Sequence, residues 1–308
     1  MDVDMICRET VKPSSATAAI LRTFKISFLD QLIPTFYTPL ILFYSIEDSG
    51  TKHERSSSVL KASVSEALTC FYPLAGRTGG HGFINCNDEG ASFAEAQANV
   101  FECGGLAIRI CALHIVIDAT TMSHFLSYCA GIARGGSVEE LPHPDFGTAS
   151  SLFPPRDPLP KNFLKVMERG WFKEGKFAIH RFVFDHKSIS ILRERAREGG
   201  LTPTRHEVVS GVIWKHATAA SREKSGSPPR ISISIHSTDM RQRMKEKIPK
   251  CAVGNLLWSA FATYDPSNGT SGTLPHLVRL VRESVGKTNG DYLRGLAGDG
   301  GSELFTVD

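Results

Sequence analysis

The sequence predicts an α/β fold built from two domains. Segments with strand-like and helix-like hydrophobic spacing alternate along the chain, and no internal repeat of fixed period interrupts them. Length is a further observation, because 308 residues at ~150 per domain correspond to two domains. We expect an N-terminal domain at residues 1–150, a connecting segment at 151–177 and a second domain at 178–308.

The N-terminal half begins with a predicted helix and a predicted strand. Apolar residues recur at helical spacing from Leu60 to Phe71, and Pro73 ends this pattern. The compact apolar run Leu106–Leu113 is typical of a buried strand, although Arg109 interrupts it.

A second helix is predicted after this strand, from Met122 to Ala133. Thr120 or Thr121 can cap it by accepting a backbone N–H bond. Gly135 and Gly136 can end it, because glycine tolerates the left-handed conformation.

The second half repeats the alternation after a proline-rich connection that runs from Leu141 to about Gly175. We expect strands at Ile179–Phe184 and Leu256–Tyr264. A half-buried strand is expected between them, because three isoleucines alternate strictly with polar residues: Ile231, Ile233 and Ile235.

Two helices are predicted in the same half. One begins at Thr202-Pro203 and the other covers Leu274–Val285. The residues expected to share one face of the first helix are Val208, Val209, Val212, Ile213 and Ala217.

Composition and charge exclude several classes of protein. The chain has 35 basic and 32 acidic residues, a net charge of +3 that is too balanced for nucleic acid as the main partner. The most apolar stretch, Phe28–Tyr44, contains polar residues and two prolines, so we expect no membrane span. The N-terminus has no apolar core, so we expect no signal peptide. Seven scattered cysteines without a CxxC pair indicate reduced, mostly buried thiols in a cytoplasmic protein.

The candidate chemistry lies at His114 and Asp118, where the apolar strand stops and the second helix begins. A neutral imidazole at this place can take a proton from an alcohol or amine near neutral pH. The spacing of four residues occurs often by chance, so a purely structural histidine is the alternative that these two residues alone leave open.

The residues around His114 and Asp118 favour a catalytic histidine over a purely structural one. Together with them, the HxxxD element resembles the signature of the plant BAHD acyltransferases. This family moves an acyl group from coenzyme A to an alcohol or amine. Six further stretches are similar to family elements in order and spacing: Phe24–Asp30 (an opening strand), Phe71–Arg77, Phe101–Gly105, Ile213–His216, Asp239–Arg241 and Gly254–Asn255. The likeness is greatest to vinorine-synthase-like members, which acetylate hydroxyl groups of alkaloids and related metabolites.

The resemblance implies a two-domain fold of the chloramphenicol-acetyltransferase type with His114 as the general base. It implies a structural role for Asp118, paired with Arg241 of the second domain. A solvated Arg241 beside other basic residues is the alternative. The implied partners are an acyl-CoA, expected to be acetyl-CoA, and a small alcohol or amine acceptor. A monomer with no metal and no permanently bound cofactor is expected.

Two departures from the family pattern qualify the expected activity. Only Phe93–Val100 separates the preceding strand from Phe101–Gly105, and the family's late Asp-Phe-Gly-Trp-Gly motif is absent from the 308 residues. Compared with the family, the second domain is therefore expected to be incomplete and to lack its last strands. The alternatives are therefore an impaired remnant that binds only a metabolite or partner, and a shortened gene model of an intact enzyme. A nucleophilic role for Cys111 is less favoured than a buried, inert thiol.

Overall fold

A computed structural model shows that the chain forms two compact units, which are described separately below. Among the described residues, the first unit comprises those within Met1–Phe172, Lys247–Leu256 and Leu296–Asp308, and the second those within Lys173–Glu246 and Leu257–Gly295. The structure describes residues 5–44, 53–79, 82–96, 106–157, 175–176, 178–197, 200, 202–226, 228, 230–244, 246–269 and 272–297.

The strands of the first unit form small antiparallel sheets. These strands are β1 (Met5–Val11), β2 (Thr23–Lys25), β3 (Tyr37–Tyr44), β4 (Arg77–Thr78), β5 (Phe83–Asn85), β6 (Ala91–Ala96) and β7 (Leu106–Leu113). Strand β1 pairs with β6, β5 lies between β2 and β4, and β3 pairs with β7. Strand β7 of the β3–β7 pair leads directly to His114, the candidate base.

Strand β7 has the predicted bounds, but one of its faces is exposed. Arg109 and Cys111 point outward, opposite Ile41 and Pro39 of β3. The prediction that Cys111 is buried is therefore wrong, because it occupies the same outward face as the arginine.

The helices of the first unit are α1 (Phe28–Gln31), α2 (His53–Cys70), α3 (Ala119–Ala133) and α4 (Thr148–Leu152). Helices α2 and α3 confirm the two predicted apolar stripes, and Phe71 and Tyr128 are buried between them in one cluster. The expected opening strand over Phe24–Asp30 is only partly present. The strand ends at Lys25, because Ser27 and Asp30 form a capping box that starts α1.

A segment from the far part of the chain belongs to the first unit. Lys247–Leu256 packs there, and Asp145 and Ala252 form a parallel bridge. The backbone N–H of Val253 donates to the Asp145 carbonyl at 2.8 Å. The domain boundaries proposed from sequence stay predictions, and this segment lies within their second domain.

The second unit packs helices against one antiparallel strand pair. Its elements are α5 (His186–Ala196), α6 (Arg205–Ser225), β8 (Ser232–Asp239), β9 (Leu257–Tyr264) and α7 (Leu274–Lys287), and α8 (Gly290–Ala297) begins in it. Thr204 caps α6, and the indole N–H of Trp214 in α6 donates to Ser232 Oγ at 3.0 Å. Trp214 is buried with residues of β9 and α7, and Ile213 beside it is exposed, contrary to its predicted face.

One strand prediction in this unit is wrong, and another is confirmed as a strand whose isoleucines are exposed. Ile179–Phe184 is not a strand: Ile179 is 95% exposed, and none of the strand pairings of the described residues includes this segment. Strand β8 exists, but Ile233 and Ile235 are on its exposed face. The packed face carries Ser232, Ser234 and His236, because the register of β8 turns these polar side chains toward α6.

Candidate active site

The position of His114 is set by the end of β7 and the turn that follows it. Its backbone N–H donates to the Phe36 carbonyl at 3.0 Å, and the two rings lie 5.2 Å apart between centroids. The chain then turns, with the Ile117 N–H directed at the His114 carbonyl at 3.3 Å. The imidazole is half-buried, and its Nδ1 is a buried atom with no hydrogen-bond partner among the described residues.

Asp118 begins α3 as its N-cap residue. The residue is only 2% exposed, and its carboxylate accepts a bond from the Thr121 N–H at 2.8 Å. This corrects the prediction that Thr120 or Thr121 supplies the cap. A carboxylate at this place satisfies an orphan backbone donor and lies favourably against the positive end of the helix dipole.

The Gly254-Asn255 pair completes the His114 turn from 141 residues further along the chain. The Asn255 side-chain amide donates to the His114 carbonyl at 2.7 Å and to Asp30 Oδ1 at 2.9 Å. Its backbone N–H donates to the same Asp30 oxygen at 2.6 Å. Thr121 Oγ1 lies 3.4 Å from both the N and the O of Gly254, so α3 is also bonded to this segment.

Asp30 is the buried acceptor at the base of this arrangement. Its Oδ2 accepts from the Ser27 N–H at 2.8 Å and the Ser27 hydroxyl at 2.6 Å. Burial raises the pKa of the Asp30 carboxyl above its ordinary value, and the bonds from Ser27 and Asn255 act against that rise. Sequence analysis singled out Asp30 and Asn255 only as parts of family motifs. The local signal for Asp30 was the Ser-x-x-Asp capping box.

Arg241 lies in the second unit, just after β8. It is 8% exposed, which excludes the solvated basic residue considered from the sequence. Its backbone N–H and its Nη1 contact Asp239 Oδ1 at 2.9 and 3.3 Å. The structure thus places His114 and Asp118 in one turn of the first unit, while the pairing of Asp118 with Arg241 stays a prediction.

A histidine pair lies beside Asp239 in the second unit. His206 Nε2 and His236 Nδ1 are 3.2 Å apart, and His236 Nε2 contacts Ser234 Oγ at 3.0 Å. Both rings line a cavity of about 500 Å³ together with Asp239 and Arg243. Burial, and then the neighbouring His206, lower the pKa of His236 below its ordinary value.

The described part of the chain shows neither a metal-binding cluster nor a membrane-spanning helix. No group of three or more His, Cys, Asp or Glu side chains is arranged there to hold a metal ion. No helix there combines the length and the apolar character needed to cross a bilayer. The Phe101–Gly105 element lies outside the described residues.

Known proteins with similar sequences and structures identify the class of protein to which this chain belongs. A solved structure of vinorine synthase superposes on all of this chain, covering 81% of that protein, with a TM-score of 0.80 and 29% identity. Akuammiline synthase 2 of Alstonia scholaris is 32% identical over 92% of this chain and 72% of its own length. Limonoid 21-O-acetyltransferase of Citrus sinensis is 34% identical over 97% and 78%.

The fold and these likenesses therefore define an α/β acyltransferase. The sequence profile of the Transferase family matches residues 1–101 and 99–302. The chain belongs to that family, which confirms the resemblance to the BAHD acyltransferases and the predicted fold class. It is shorter than these relatives.

Proposed function

We propose that this chain transfers an acetyl group from acetyl-CoA to a hydroxyl group of a small plant metabolite such as an alkaloid or limonoid. The observation that carries the proposal is the half-buried His114 at the end of β7, in a member of the Transferase family. The relatives named for O-acetyl transfer or alkaloid synthesis support the choice of acetyl group and acceptor.

The proposed reaction needs a general base and an attack by the acceptor oxygen on the thioester. His114 takes the proton of the acceptor hydroxyl, and the oxygen attacks the thioester carbonyl carbon. A C–O bond forms and the carbonyl oxygen carries the negative charge of a tetrahedral intermediate. When the carbonyl re-forms, the C–S bond breaks, and the coenzyme A thiolate takes the proton from the His114 imidazolium. Acetyl ester and free coenzyme A leave, and no covalent enzyme intermediate is required.

Asp118 and Arg241 hold the site in this proposal without touching the reacting atoms. Asp118 fixes the start of α3 four residues after the base. We propose that its second role is an ion pair with Arg241, a buried guanidinium that also contacts Asp239 and whose planar fork can bind more than one carboxylate oxygen. The enzyme is proposed to act as a cytoplasmic monomer, with acetyl-CoA as a co-substrate and no resident cofactor.

The test is turnover of the 308-residue chain with acetyl-CoA and a panel of alkaloid and limonoid alcohols, with acetylated product measured by mass spectrometry. We expect product with at least one acceptor and a loss of about 10²–10⁴-fold in His114→Ala. The matched control is His186→Ala, because His186 is an exposed histidine in α5, and this variant should retain activity.

Two results would contradict the proposal. A loss smaller than about tenfold in His114→Ala would remove the histidine from the role of base. A folded wild-type chain that acetylates no member of the panel would instead favour the impaired, binding-only protein considered from the sequence.

A further inference from the structure

Asn255 connects the candidate base to a buried carboxylate. The residue has no exposed surface, and its amide nitrogen donates both to the His114 carbonyl and to Asp30 Oδ1. We propose that Asn255, held by Asp30, is a positioning residue for His114. The catalytic meaning of this inference rests on the proposed function, whereas the positioning itself does not.

The contact acts on the peptide group that sets the direction of the imidazole. Within the turn, the Ile117 N–H reaches the same carbonyl at 3.3 Å, whereas the Asn255 amide reaches it at 2.7 Å. The shorter bond therefore dominates the orientation of the His114 carbonyl. Because the side chain leaves the adjacent Cα, a rotation of this peptide plane swings the ring away from its place.

Asn255 is itself held in one orientation. One oxygen of Asp30 accepts two hydrogen bonds from Asn255, one from its backbone N–H and one from its side-chain amide. That carboxylate is fixed in turn by two bonds from Ser27. An amide that donates to two acceptors has its nitrogen and oxygen positions decided by the network, so the side chain cannot flip without losing both bonds.

The backbone before Asn255 is shaped for this close approach. Gly254 has φ +124°, and a Cβ there would lie 3.2 Å from Ala149 Cβ and 3.3 Å from Asp30 Oδ2. Only glycine adopts this conformation without strain. The Gly254-Asn255 segment therefore contacts both Asp30 and the His114 carbonyl, and Asn255, which makes these contacts, is buried and not on the surface.

A misplaced general base slows the chemical step far more than it weakens substrate binding. Displacement of a catalytic group by about 1 Å can cost on the order of 10²-fold in rate. Removal of the Asn255 amide should therefore lower kcat while KM for acetyl-CoA and for the acceptor changes little. A merely structural residue would lower stability and leave the kcat of the folded fraction unchanged.

The experiment compares Asn255→Ala with Gln31→Ala. Gln31 is the matched control: it is buried in α1 next to Asp30, and its amide bridges the backbone of Arg156 through two hydrogen bonds. We expect both variants to lower the melting temperature. Only Asn255→Ala should lower kcat, by about 10–100-fold, with KM within about twofold. Equal kcat values in the two variants would overturn the proposal.

A second readout needs no turnover. The ring signal of His114 is assigned in a proton–carbon correlation spectrum from its loss in His114→Gln. We expect it to shift in Asn255→Ala and to stay in place in Gln31→Ala. An unmoved signal in Asn255→Ala would overturn the positioning role even if the wild-type chain is inactive, so this failure differs from that of the proposed function. If Asn255→Ala does not fold, Asp30→Asn is subjected to the same two measurements, with the same expected results.

Discussion

The amide nitrogen of Asn255 lies 2.7 Å from the carbonyl oxygen of His114, although 141 residues separate them in sequence. The turn that presents the candidate base is therefore made by two distant parts of the chain. Strand β7 delivers the histidine, and the Gly254-Asn255 segment fixes its peptide group.

The first prediction concerns Asp118 and Arg241. Asp118→Asn keeps an oxygen that can cap α3, so a loss of the helix cap is avoided and the loss of charge is isolated. If the ion pair exists, the substitution removes one carboxylate from the buried Arg241 and leaves Asp239, so the free energy of unfolding should fall by at most about 3–5 kcal/mol. Urea denaturation of Asp118→Asn, Arg241→Met and the double variant measures the coupling.

The double variant decides this prediction. A coupling free energy above about 1 kcal/mol indicates a direct interaction between the two side chains. Effects that add within about 0.5 kcal/mol would show that Asp118 acts as a helix cap alone.

The second prediction concerns Gly254. Gly254→Ala places a Cβ against Ala149 and Asp30 at a position with φ +124°, so the free energy of unfolding should fall by about 1–3 kcal/mol. Gly286→Ala in α7 is the control, because a Cβ there meets nothing within 4 Å. The control should be neutral or stabilising by up to about 1 kcal/mol. Equal stability of the two variants in chemical denaturation would contradict the constraint on Gly254.

The third prediction concerns the pH dependence of stability at His236. Burial and the nearby His206 lower its pKa in the folded state, so the unfolded chain binds the proton more readily. The stabilisation is fully present above about pH 6.5, the ordinary histidine pKa, and is lost as pH falls below it through the lowered folded-state value. His206, Asp239 and Arg243 line the same cavity and contribute to the local charge.

Melting temperatures between pH 8 and pH 5 test this third prediction. We expect the wild-type chain to lose stability toward pH 5 more steeply than His236→Gln. The slope is the informative quantity, because the substitution also removes the contacts with Ser234 and His206. Identical slopes would show that His236 does not titrate differently in the folded and unfolded states.

The fourth prediction concerns the reactivity of the cysteines. Cys111 is exposed on β7, whereas Cys86 and Cys129 are buried. Burial raises the pKa of Cys86 to about 11 and that of Cys129 to about 12, so their thiolate fractions at pH 8 are small. Iodoacetamide should alkylate Cys111 at least ~100-fold faster than either buried thiol. Peptide mass spectrometry measures the rates, and comparable labelling of all three in the folded chain would contradict the assigned burial.

Much of the fold follows from local spacing in the sequence. Helices α2, α3 and α7 are predicted by periodicity, because a single apolar face decides each of them, and strand β7 is predicted by its compact apolar run. The alternation in β8 predicts a half-buried strand, but it specifies two faces and not which one packs. The outcome depends on α6, where Trp214 finds its acceptor in Ser232.

The candidate site, like the fold, is predicted from the sequence only in part. His114 and Asp118 lie four residues apart, so a local motif contains both. The roles of Asp30 and Asn255 depend on contacts over 225 residues of chain, and no spacing rule connects positions so far apart. The spacing of Ser27 and Asp30 is compatible with a capping box, but the sequence analysis predicted a strand there, and nothing local indicates that the same carboxylate also binds the Gly254-Asn255 segment.

The distance in sequence between His114 and Asn255 also has a consequence for biosynthesis. At ~5–20 residues per second, the 141 residues between them take a ribosome roughly 7–28 s to add. A nascent chain can complete β7 and α3 within that interval, but the His114 carbonyl lacks its amide donor until residue 255 has left the exit tunnel. The turn that presents the candidate base is thus completed late in synthesis, after the helix and strand that flank it have had time to form.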